Sequence, residues 1–246
     1  MRDLTSFRLL NWPTQAWFAM ALTGVVVPIL TLLVLSSTAS SSAVASGPVF
    51  TLGLMGVGII GAAIVGPFRV GVLMALVNAA GLVVLALALG MPALSHPSSL
   101  ILAMTIASAS FAARGALFAK TLSRRGWLMA LFVVAGEASV LLIVSAFPGL
   151  LPEWFLALLP AQWASIALQT ALTGTGTYAA LPVLIALGGT AVTTLLAARL
   201  WLHRWPYLLM FTAWLGLSAL VYFWSPAVTP STIVATTTAS LVIAQH

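Results

Sequence analysis

Leu100-Ile-Leu-Ala-Met-Thr-Ile-Ala-Ser-Ala-Ser-Phe-Ala-Ala-Arg-Gly-Ala-Leu-Phe118, the turn Lys120-Thr-Leu-Ser-Arg-Arg125, and Trp127-Leu-Met-Ala-Leu-Phe-Val-Val-Ala-Gly-Glu-Ala-Ser-Val-Leu-Leu-Ile-Val-Ser-Ala-Phe147 decide the fold. Each apolar run is about 20 residues long, enough at ~1.5 Å per residue to cross a ~30 Å hydrocarbon core. Between them lies a short basic connection, and each run carries one charge, Arg114 in the first and Glu137 in the second. Counted as helical rise from Lys120 and Trp127, Arg114 lies ~9 Å deep and Glu137 ~15 Å deep, a difference an arginine side chain spans. An unpaired charge at the centre of a bilayer costs about 2.5–3.5 kcal/mol, so the two are expected to pair inside a helix bundle. Small neighbours, Ala107, Ser108, Ser110, Ala112, Gly136 and Ser139, permit the close helix approach this requires.

Working outward, the same grammar repeats along the chain. Hydrophobic residues make up 62% of the sequence and charged residues 5%, against roughly a quarter charged in soluble domains. We expect an all-α, polytopic membrane helical bundle forming one integral membrane domain over 1–246. Its seven spans fall near 16–35, 49–65, 70–89, 100–118, 127–147, 178–200 and 207–223. Met1 to Gly47 has the outline of a secretory signal, with Arg2, Arg8, an apolar run and Ala43-Val-Ala-Ser-Gly47. We read Ala16 to Leu35 as a retained first span, preceded by an interfacial stretch from Arg2 to Trp12. The second span carries Gly53, Gly56, Gly58 and Gly61, poor helix formers in water that suit tight helix packing in lipid. The third has one amide, Asn78.

The segment 150–177 breaks the pattern. Pro152, Pro160 and Thr173-Gly-Thr-Gly-Thr177 interrupt it, and Trp154, Phe155 and Trp163 suggest an interfacial amphipathic helix at headgroup depth; the alternative is a re-entrant segment. Basic residues arbitrate. Arg2 and Arg8, Arg69, Lys120, Arg124 and Arg125, and Arg199 and Arg204 all fall on one side if 150–177 does not cross. The positive-inside rule makes that side cytoplasmic. The N-terminus is then cytoplasmic and the tail Ser231 to His246 external, and we expect the membrane to be a bacterial inner one. A faint repeat reinforces the hairpin reading: Arg69, Leu73-Met-Ala-Leu76 and Gly81 recur as Arg124, Leu128-Met-Ala-Leu131 and Gly136, with an echo at Arg204, Leu209-Met210 and Gly216.

The net charge of +6 sits in turns rather than along a polar face, which excludes a nucleic-acid footprint. With no cysteine, thiolate catalysis and zinc-thiolate sites are excluded. No GxSxG, HExxH or P-loop motif and no carboxylate pair at metal spacing occurs, so catalysis is not the expectation. His96 and His203 fall on opposite faces and cannot together ligate one haem. No cofactor or metal is identified.

Two functional classes remain. One is a small transporter or channel moving a solute or ion past Arg114 and Glu137, with Asn78, Ser108, Ser110 and Ser139 as candidate polar lining. The other is an accessory subunit of a larger membrane complex, able to offer a single contact to a pigment or haem. The partners expected are the lipid bilayer and either further copies of the chain or other membrane subunits.

Overall fold

A computed structural model describes residues 12–37, 42–90, 96–173, 177–200 and 205–224. The N-terminal stretch, His203, Arg204, the glycines of the Thr173–Thr177 loop and the Thr/Val-rich tail lie outside these. Among the described residues the structure is helical, with no strand. The first span is α1 (Trp12–Ala21) and α2 (Val27–Ser37), joined by the π-helical turn Leu22–Val26. The second is α3 (Ser42–Met55) and α4 (Gly61–Val65), joined by the π-helical turn Gly56–Ile60. There follow α5 (Phe68–Ala88), α6 (Pro97–Leu122), α7 (Gly126–Ala146), α8 (Glu153–Leu156), α9 (Pro160–Thr173), α10 (Thr177–Arg199) and α11 (Trp205–Trp224).

Six helical stretches are long and apolar enough to cross a membrane, one of them the 50-residue Pro97–Ala146. That stretch is a hairpin. Arg114 and Glu137 are 23 residues apart, ~35 Å along an unbroken helix, yet their side chains meet at 2.7 Å. The reversal occurs at Ser123–Arg125, where Ser123 takes a positive φ of 47°. The stretch therefore supplies two antiparallel helices, α6 and α7.

Burial arranges these helices in layers. Ser46–Val65 is the centre, with 83% of its apolar window buried, whereas only 11% of Tyr207–Trp224 is covered. Glycine makes the centre possible. A Cβ on Gly56 would lie 2.6 Å from the Cα of Gly24, and one on Gly115 would collide with the carbonyl oxygen of Ile59. The two π-helical turns thus cross at Gly24 and Gly56, backbone on backbone, as small residues allow in lipid. The other glycines of the second span are also enclosed: Gly53 faces Leu82 and Asn78, Gly58 faces Phe111, and Gly61 faces Met20 and Met74. On the outside, Phe18, Leu73, Val77, Val84, Phe132 and Phe223 are exposed. So much apolar surface on one chain is matched by acyl chains, not water.

Apart from Arg114, the described basic residues collect at one end. Lys120 donates to the carbonyl oxygen of Ala198, which places the ends of α6 and α10 at one level, beside Arg199 and the turn holding Arg124 and Arg125. Gly71, near the start of α5, packs on Ala62 and Ala112, which brings Arg69 toward the same end. Since α7 leaves this end and α10 returns to it, Phe147 and the start of α10 at Thr177 both lie at the opposite end.

Candidate functional site

Between those two points the chain does not stay outside the bundle. Helix α9 packs along α3, α6 and α10, and Trp163, expected at headgroup depth, is fully buried with its indole N–H donating to the carbonyl of Ala157 at 2.9 Å. Trp154, by contrast, is exposed. Helix α9 buries the face holding Ala161, Trp163, Ala164, Ala167, Leu168 and Ala171 and leaves Gln162, Gln169, Thr170 and Thr173 on its more exposed face. At its start, the backbone N–H of Ala161 donates to Glu137 Oε2 at 3.1 Å. Glu137 stands midway along the 21 residues of α7, so the N-terminus of α9 lies at half the depth of the bundle. Pro160 opens the helix and has no N–H, leaving Ala161 as an orphan donor that a neighbouring helix must satisfy.

Glu137 is thus held from two sides. Oε1 accepts from Arg114 Nη1 at 2.7 Å and Oε2 from Ala161, with side-chain exposures of 11% for Glu137 and 14% for Arg114. The partial positive charge of a helix N-terminus adds to that of the guanidinium. Arg114 is less completely satisfied: its Cζ lies 4.9 Å from the centroid of the Phe111 ring, a cation–π contact, while Nε and Nη2 are buried without a hydrogen-bond partner.

A cavity of about 370 Å³ reaches this pair. Arg114, Leu117 and Phe118 of α6 and Val133 and Glu137 of α7 form one side, and Leu158 to Pro160 close it next to α9. Opposite stand Thr190, Thr193 and Thr194 of α10, with Met210, Phe211 and Trp214 of α11. The walls are mainly apolar, where the transport reading of the sequence anticipates polar ones. Thr190 and Thr193 turn their hydroxyls back on their own helix, to Leu187 and Gly189 carbonyls at 2.8 and 2.9 Å. Each methyl and Cβ is then left to face a neighbour or the cavity.

None of the four residues expected as polar lining borders this cavity. Asn78 lies elsewhere, donating to the carbonyls of Gly24 and Gly53 at 2.9 and 3.2 Å. Ser139 is exposed and donates to Ala135. Ser110 stands behind the wall, 3.0 Å from Thr190 Oγ1; because Thr190 already spends its hydrogen on Leu187, Ser110 is the donor. Ser108 is buried without a partner. Asn78, Ser110 and Ser139 spend their polar atoms on neighbours in the bundle, where there is no water to satisfy them. The threonine wall was nevertheless written in the sequence: Thr190, Thr193 and Thr194 fall at i, i+3 and i+4, one helical face. Among the described residues, no three of His, Asp, Glu or Cys gather to hold a metal.

No protein-family model, curated protein or solved structure matches this chain.

Proposed function

We propose that this protein is a small membrane transporter whose solute site is the cavity at Arg114 and Glu137. One observation carries the reading: a cavity reaches a part-buried ion pair at the depth where a short helix begins inside the bundle. Broken or half-length helices that start at mid-depth are a recurrent means of presenting backbone N–H groups to a solute away from bulk water. Structural locking alone would account for the pair but not for space beside it. The apolar walls argue against a hydrated inorganic ion, which would lose its water with few oxygens to replace it.

The test is solute-driven swelling of proteoliposomes, followed by light scattering with a panel of carboxylates, amino acids, sugars and inorganic ions. Faster entry of one class than into protein-free vesicles, lost on filling the cavity with Met210→Trp, is the expected outcome. Equal rates across the whole panel would overturn the reading.

The accessory-subunit alternative draws on α11, which packs chiefly on α10 and leaves Leu208, Phe211 and Phe223 exposed. It predicts a stable foreign chain on α11 in the native complex and no solute entry.

A further inference from the structure

The cavity's charge and shape narrow what it takes, on the reading that it is a solute site. Two positive sources converge on one carboxylate, the Arg114 guanidinium and the start of α9 with its roughly half-unit charge. Glu137 therefore leaves a net positive remainder at the cavity's polar end. Arg114 also has two N–H-bearing atoms, Nε and Nη2, without acceptors. These lie along one edge of the guanidinium, the edge that matches a planar pair of oxygens. Both atoms are covered by protein, so a head group engages them only if the guanidinium turns. Beyond this polar end the lining is mainly hydrocarbon or aromatic, from Leu117, Val133, Leu158, Met210 and Trp214, with Thr190, Thr193 and Thr194 the exceptions.

At about 370 Å³ the cavity lies at the small end of the ~300–1,000 Å³ range of small-molecule sites, the scale of a single short chain with its head. Helices α7 and α11 supply opposite walls without packing closely on one another, which leaves the bilayer side as the approach.

We infer that the site takes a single-chain anionic amphiphile, its carboxylate or phosphate on Arg114 and its short hydrocarbon chain between α7, α10 and α11. The test is thermal unfolding of the purified protein in phosphatidylcholine nanodiscs with octanoate, octan-1-ol or octyltrimethylammonium, repeated in nanodiscs containing phosphatidic acid. Met210→Trp, on the sparsely packed α11, fills the cavity while leaving Arg114 and Glu137 paired, and subtracts any effect of the amphiphile on the bilayer itself. Octanoate is expected to stabilise the parent at tenfold lower concentration than octan-1-ol, and Met210→Trp to lose that stabilisation. Stabilisation by phosphatidic acid alone, also lost in Met210→Trp, would overturn the single-chain occupant and assign the anionic head to a two-chain bilayer lipid. Equal effects of octanoate and octan-1-ol would overturn the anion while leaving a solute cavity. No effect of any amphiphile, together with no solute entry in the swelling assay, would overturn both readings.

Discussion

Asn78 supplies the hydrogen bond that Pro28 cannot. In an α-helix the carbonyl of Gly24 accepts from the residue four positions on, which is Pro28 and has no N–H. The side-chain amide of Asn78, from a helix 54 positions away in sequence, donates to that oxygen at 2.9 Å and to Gly53 at 3.2 Å. One amide thus joins the first span, the second span and α5 where the π-helical turns cross. Asn78→Leu strands the Gly24 carbonyl in a water-poor interior, at about 1–3 kcal/mol. Thermal unfolding in detergent should show a loss of that order. Pro28→Ala in the same background should return part of it, since the restored backbone N–H can donate to Gly24.

The ion pair has an asymmetric signature. Glu137→Leu leaves the Arg114 cation and the Ala161 N–H without acceptors and should cost about 3–5 kcal/mol. Adding Arg114→Leu removes the stranded cation, so the double variant should be more stable than Glu137→Leu alone. A double variant less stable than the single one would mean that Arg114 is held by contacts other than Glu137.

Glycine positions divide by what surrounds them. Gly115→Ala sets a methyl against the Ile59 carbonyl, backbone that cannot swing aside, and should lower the unfolding temperature sharply. Gly81, Gly136 and Gly216, the glycines of the faint repeat, have open space around the Cβ direction. Gly81→Ala should therefore stabilise by up to about 1 kcal/mol through helix propensity. Opposite shifts in one melting series check both.

Sidedness follows from the basic end. Single cysteines at Ser98 and Thr173 should react with an impermeant thiol reagent from the outside of intact cells, and one at Ser123 only after permeabilisation. Labelling of Ser123 from outside would invert the orientation.

The helical class and the α6–α7 hairpin were legible because lipid demands long apolar runs and because Arg114 and Glu137 stand almost symmetrically about one turn. What escaped the sequence depends on contacts between distant segments. Asn78 looks like cavity lining until Pro28 and the π-helical turn locate its acceptors. Trp163 looks interfacial because aromatic residues often mark the headgroup level, whereas it sits on the buried face of α9. That Glu137 caps α9 could not be read from spacing, since Pro160 marks a helix start without saying at what depth it lies. The threonine face of α10 was readable but passed unused, because threonines that bond their own backbone look like ordinary membrane-helix residues.

The central claim is that the space beside Arg114 and Glu137 receives a solute. Because the chain has no cysteine, Thr193→Cys places one thiol on the cavity wall. Its rate of reaction with a small membrane-permeant methanethiosulfonate, measured with and without octanoate, tests the claim most directly. Octanoate is predicted to slow that reaction at least fivefold, with no slowing at a control cysteine in place of Ser123. A Thr193→Cys thiol whose rate is changed neither by octanoate nor by any solute of the swelling panel would contradict it.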